Sequence, residues 1–135
     1  MKKFPFLSAS QATILLRVIV SILLIIHGIT RILHDGVAGF GGFLNSQGFP
    51  GGKAIAWGIT LFEIIGGLLM AMGYYTRWIA VVFILELTMG IVLVHAQNGW
   101  FVVGGGSNGV EYSVLLITCM IVIAAQSKGR VFGKG

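Results

Sequence analysis

Four long apolar runs, at residues 12–33, 54–74, 78–95 and 109–126, fill most of this 135-residue chain, and each is broken by only one to three charged or histidine side chains. A run of roughly 18–22 residues, wound as a helix at about 1.5 Å per residue, matches a hydrocarbon layer about 30 Å thick. In lipid every backbone N–H and C=O must be satisfied within the segment, so the runs are forced into helices. The pattern predicts an all-α integral membrane protein: a four-helix bundle forming a single transmembrane domain over residues 1–135. Composition agrees. Hydrophobic residues make up 56% and charged residues 10%, against about 25% charged in an ordinary soluble domain. Too few charges exist to coat a water-facing surface, and lipid is the expected outer solvent and partner.

The basic residues set the orientation. Lys2, Lys3, Arg77, Lys128, Arg130 and Lys134 fall on one side of such a bundle, and only Lys53 and the boundary residue Arg31 on the other. The positive-inside rule then places both termini on the cytoplasmic side, N-in and C-in. The net charge of +5 is therefore a membrane signal. No stripe of Lys and Arg with interleaved aromatics exists to bind nucleic acid. The apolar start after Lys2 and Lys3 imitates a signal peptide, but no small-x-small cleavage site follows and apolar runs continue, so it is read as the first span. The single cysteine, Cys119, lies in an apolar run and is read as packing; with no CxxC, thiol–disulfide chemistry by this chain alone is excluded.

Ser10 is the expected N-cap of the first helix and Thr76 that of the third. With Gly73 between them, the second and third helices should form a tight antiparallel hairpin. Two outer linkers, 34–53 and 97–108, are rich in glycine and aromatics: Phe40, Phe43 and Phe49 in one, Trp100 and Phe101 in the other. They read either as interfacial anchors or as a lid over the outer mouth of the bundle.

Charges within the runs are the informative exceptions. At about 100° per residue, Arg17, Ser21, His27, Gly28 and Arg31 form one polar stripe on the first helix. Ala56, Thr60, Gly66, Gly67 and Met70 share the side of Glu63 on the second, and small residues there suit close helix contact. Counted from the outer boundary, Glu63 and Glu86 both lie about 13 Å deep and His27 about 9 Å. Arg31, His95 and Glu111 fall at the outer rim and Arg17 in the inner half. Two layers follow. In the outer one, Arg31 and Glu111 should form an ion pair. In the middle one, His27 should reach Glu63 with Glu86 nearby, and two carboxyls at one depth in low dielectric should not both be ionised. These residues either only organise packing, with Arg17, Arg31 and Glu111 as structural charges, or line a pocket opening to the outer side. In the second case His27, Arg31, Glu63, Glu86, His95 and Glu111 are the candidate ligand-binding residues. A haem held by His27 and His95 is disfavoured by their different depths, and the histidines with Asp35 make no metal motif.

The ordered motifs resemble a known family. "LLR" spans 15–17, "HG" falls at His27 and Gly28 with a basic residue at Arg31, and "GFP" spans 48–50. "FEIIGGLLMAMGYYTR" covers 62–77, followed by "HAQNGWF" at 95–101 and "GVEYSVLL" at 109–116. Their order and spacing resemble the DoxX family of small bacterial membrane proteins. The basic residue after "HG" is commonly Lys in that family and is Arg31 here, which keeps the charge but changes the hydrogen-bonding geometry. The resemblance implies a four-helix bundle in the bacterial inner membrane. It places the family's polar positions on Arg17, His27, Arg31, Glu63, His95 and Glu111. It also implies association with membrane redox chemistry, since the family is named after a subunit of a thiosulfate:quinone oxidoreductase.

With no redox centre of its own in sequence, the chain is expected to be a non-catalytic subunit of a quinone- or thiol-linked oxidoreductase system. It would bind a quinone or another lipid-soluble ligand, a redox partner protein or a second copy of itself. A small-molecule or proton transport protein, and a membrane scaffold without chemistry, are the alternatives.

Overall fold

The computed structural model describes Phe4 and residues 6–128, and all regular structure among them is helical. The expected inward charges Lys2, Lys3, Arg130 and Lys134 lie outside the described residues. The helices are α1 (Ala9–Leu33), α2 (Gly36–Ser46), α3 (Gly52–Met72), α4 (Thr76–Leu93) and α5 (Glu111–Gln126), with a short 3₁₀ turn at His95–Asn98. Three of them, α1, α3 and α4, are long and apolar enough to cross a membrane. The fourth expected span, α5, has 16 residues.

Helix α1 begins two residues earlier than a Ser10 cap implies, because Ser8 is the N-cap. The Ser8 hydroxyl accepts from the Gln11 amide (3.2 Å), and the Gln11 side chain accepts in return from the Ser8 amide (2.9 Å). This reciprocal box satisfies two amides that the first turn leaves without helical partners. At the far end of α3, Gly73 takes a left-handed conformation (φ 89°) while its N–H donates to Met70 O and that of Tyr74 to Leu69 O. This Schellman closure and left-handed Tyr75 (φ 51°) reverse the chain, so α4 starts at Thr76 with Tyr75, not Thr76, at the cap position.

The reversal is as short as expected, but the two helices do not pack as a tight hairpin. Helix α3 packs chiefly on α1 and α4 chiefly on α5, while α3 and α4 touch sparsely. Glycines explain the first preference. A Cβ on Gly28 would lie 2.7 Å from Ile64 Cγ1, and one on Gly67 would lie 2.8 Å from Ile25 Cγ1. Bare backbone at both points lets α1 and α3 approach closely. The buried face of α3 is Gly52, Ala56, Thr60, Glu63, Gly66, Gly67 and Met70, which includes every position the helical period places beside Glu63.

Toward the hairpin end, Val20, Leu24, Met70, Ile79, Phe83, Leu116, Met120 and Ile123 form the main core. A smaller cluster at the other end joins Val37 and Leu44 of α2 to Ala56 of α3. Residues 34–53, read from sequence as a linker, therefore contain a helix. It sits on the start of α3, where Gly41 meets the Gly52–Lys53 backbone and Asn45 Oδ1 accepts from the Gly52 amide (2.9 Å). The outer face of the bundle carries side chains such as Leu85, Val92, Leu115 and Ile65, all more than half exposed. A surface of this kind calls for lipid around it.

Candidate functional site

Because α3 and α4 diverge from their short turn, a wedge opens between them, backed by α1 and α5 and roofed by α2. It encloses a cavity of about 690 Å³, within the size range of small-molecule sites. Its walls are mainly apolar and aromatic: Phe40, Phe43 and Leu44 from α2, Phe49, and Phe62 from α3 all face it. The Phe62 ring packs on Phe83 of α4 with centroids 4.9 Å apart, which joins the two helices below the wedge. Into this apolar space project five of the six residues singled out from sequence as ligand-binding: His27, Arg31, Glu63, Glu86 and His95.

Arg31 and Glu63 form the core of the polar end. Arg31 Nη1 donates to Glu63 Oε2 at 2.6 Å and Nη2 donates to Oε1 at 3.2 Å, while Nη1 also donates to Thr60 Oγ1 at 2.9 Å. The Thr60 hydroxyl in turn donates to Ala56 O at 2.7 Å. The Phe40 ring covers the guanidinium, its centroid 4.9 Å from Cζ, a cation–π contact. The pair is thus fork-to-fork, hydrogen-bonded on both sides and shielded from above. Glu63 is 4% exposed. The Glu86 carboxyl, reaching across from α4, faces Glu63 and feels both it and Arg31.

This geometry corrects the pairings expected from sequence. Arg31 pairs with Glu63, not with Glu111. Gly28, one turn before Arg31, draws α1 onto α3, so Arg31 lands on the Thr60–Glu63 face. Glu111 instead accepts from the amides of Val102 (2.7 Å) and Val103 (3.2 Å), holding the 99–110 loop against the start of α5. Glu63 meets Arg31 rather than His27, and the two-pronged contact is that of a carboxylate with a guanidinium. His27 is exposed, on the margin of the cavity beside Thr30 and Arg31. Arg17 lies at the carbonyl end of α3, donating to Ala71 O over 3.5 Å beside Gly73, where a cation complements the helix dipole.

His95 falls in the 3₁₀ turn beyond α4, its Nδ1 2.8 Å from Asn108 O. Of the aromatics expected to cover the pocket, Phe40, Phe43 and Phe49 line it, whereas Trp100 and Phe101 are 54% and 60% exposed and stand clear. The sequence reading missed Asn108, Tyr112 and Ser113, which also reach the cavity; Tyr112 and Ser113 follow Glu111 directly, in the first turn of α5. Among the described residues, no group of three or more His, Cys, Asp or Glu side chains is placed to hold a metal ion.

Comparison with known proteins adds three findings. A family model described as DoxX matches residues 12–96. The chain is 38% identical over 112 residues to a Bacillus subtilis (strain 168) protein named putative oxidoreductase CatD, covering 83% of this chain and 76% of that one. No solved structure matches.

Proposed function

This chain belongs to the DoxX family, and on that premise we propose that it is a binding component of a redox-linked system in the bacterial inner membrane. It takes up a small lipid-soluble ligand, quinone-like in its ring and polar oxygens, and carries no redox centre of its own. The observation that carries this reading is the cavity of about 690 Å³ with Arg31, Glu63 and Glu86 at one end and aromatic walls around it. Apolar pockets with a few convergent polar groups are the usual form of a small-molecule site. The relative's name supports the redox setting.

In this reading α1, α3, α4 and α5 all span the membrane, with both termini inside. At about 1.5 Å per residue the 16 residues of α5 cover about 24 Å. Gly109 and Val110 at one end and Ser127 at the other extend the segment. Helix α2 then lies at the outer interface, over the cavity mouth.

The test is binding by the full chain in lipid nanodiscs. A decyl-tailed benzoquinone should bind the native protein. It should bind about tenfold more weakly to Arg31→Leu/Glu63→Leu, the equivalent of one lost charge-assisted hydrogen bond. Failure of the native protein to bind the probe, with no quinone-type lipid in its extract by mass spectrometry, would overturn the proposal.

A further inference from the structure

The cavity is polar at one end and open along one side. Its polar end is already half satisfied. Arg31 and Glu63 bond to each other, Thr60 accepts from Arg31, and Phe40 covers the guanidinium. Glu86 brings a further carboxyl to this end from α4, hydrogen-bonded with Glu63 and lining the cavity itself. A carboxyl has two oxygens, so one bond to Glu63 leaves it capacity for an occupant. The charges also select. The Arg31 guanidinium is already engaged by both Glu63 oxygens, so a head bearing phosphate or carboxylate would bury a charge without a cation of its own, whereas a neutral head with hydrogen-bonding oxygens needs none.

The open side lies between α3 and α4. Ile55, Gly58 and Ile59 line it on α3, and Val82, Leu85 and Met89 on α4. Leu85 and Met89 are 62% and 43% exposed, so one and the same side chain borders both the cavity and the lipid-facing surface. Gly58 is exposed, and a Cβ built on it would meet nothing within 4 Å. The gap is apolar throughout, faces hydrocarbon when the bundle is in a membrane, and is narrowest in side-chain bulk at Gly58.

Resting on the reading of this cavity as a ligand site, we propose that its occupant is a single-tailed amphiphile that arrives sideways from the bilayer. Its neutral, ring-sized head hydrogen-bonds Glu86, and its tail lies out between Gly58 and Leu85 into lipid. A pocket of this volume holds the head and the first part of a tail. The aromatic roof of α2 closes the water-facing side, so the bilayer is the source and the membrane-dissolved molecule the substrate class.

The experiment compares two neutral probes on the full chain in nanodiscs: a decyl-tailed dimethoxybenzoquinone and its tailless parent. Gly58→Leu adds bulk to the gap at a position where a Cβ would meet nothing within 4 Å, and Leu85→Trp adds bulk to the same gap from α4. Both variants should slow association of the tailed probe several-fold while leaving the tailless head's affinity unchanged; Glu86→Leu should weaken both probes. Unchanged association of the tailed probe in both gap variants would overturn the sideways route and leave the ligand reading standing. Equal losses for both probes in both gap variants would overturn the placement of the tail between Gly58 and Leu85, because the tailless head would then depend on the gap just as much. If the native protein binds neither probe, both the ligand reading and this inference fall together.

Discussion

Breaking the Arg31–Glu63 pair should be among the more costly single changes in the protein. The two side chains are 20% and 6% exposed and joined at 2.6 Å, with a second bond at 3.2 Å and Thr60 completing the set. Removing one partner of a buried pair costs about 3–5 kcal/mol, because the other charge stays buried and uncompensated. The exposure of Arg31 admits some screening, which places Glu63→Ala near the lower end, about 3 kcal/mol. Arg31→Ala should be similar, since it leaves Glu63 facing Glu86 without the guanidinium. The double variant removes both charges and should lose less than the sum, with a coupling of about 2 kcal/mol. Reversible unfolding in mixed micelles, followed by tryptophan fluorescence, measures all four corners of the cycle. Arg31→Ala and Glu111→Ala form the control, because Glu111 serves the 99–110 loop; their effects should add within about 0.5 kcal/mol. Additivity of Arg31 and Glu63, or strong coupling of Arg31 to Glu111, would refute the assignment.

Glycine substitutions should separate contact from exposure. Gly28→Val should destabilise by about 1–3 kcal/mol through overpacking against Ile64 and Thr60, while Gly58→Ala should be neutral or stabilising by up to about 1 kcal/mol; the same unfolding assay reads both. Glu111→Ala should leave the helices intact but speed amide exchange at Val102 and Val103, measured by deuterium uptake; unchanged exchange there would mean that the carboxylate does not hold the loop. In a Cys119→Ser background, cysteines placed at Gly104 and Lys128 should label from opposite sides of the membrane, and labelling of both from outside would exclude four spans.

The face of α3 was readable from sequence because a 3.6-residue period and small side chains mark a helix contact independently of its partner. Counting depth along each run also put Glu63 and Glu86 at one level, and the fold brings them together. What period and depth cannot give is which helix lies next to which. Arg31 was assigned to Glu111 because both lie near the outer end of their runs, yet the Gly28 contact commits α1 to α3 and so hands Arg31 to Glu63. Helix α2 was hidden for another reason. Gly36, Gly39, Gly41 and Gly42 each lower helix propensity, and only the packing of Val37, Gly41 and Leu44 on α3 makes the segment helical. The role of Glu111 follows from backbone accounting in a loop whose amides need acceptors, a need visible only once the loop's path is known.

The same accounting bears on whether the charges serve packing or a ligand. A charged side chain at the middle of a span costs about 2.5–3.5 kcal/mol on insertion scales, and a buried ion pair is often no more stabilising than apolar residues of similar volume. Packing of α1 on α3 is already accounted for by Gly28, Gly67, Val20, Leu24 and Met70, and that of α4 on α5 by Ile79, Phe83, Met120 and Ile123. Nothing in these contacts requires Arg31, Glu63 or Glu86. The variant Arg31→Leu/Glu63→Leu/Glu86→Leu should therefore insert and resist thermal unfolding at least as well as the native protein. It should bind the quinone probe markedly less. A scaffold held together by its charges makes the opposite forecast on the first measurement: the triple variant would then unfold at lower temperature than either the native chain or Glu86→Leu alone.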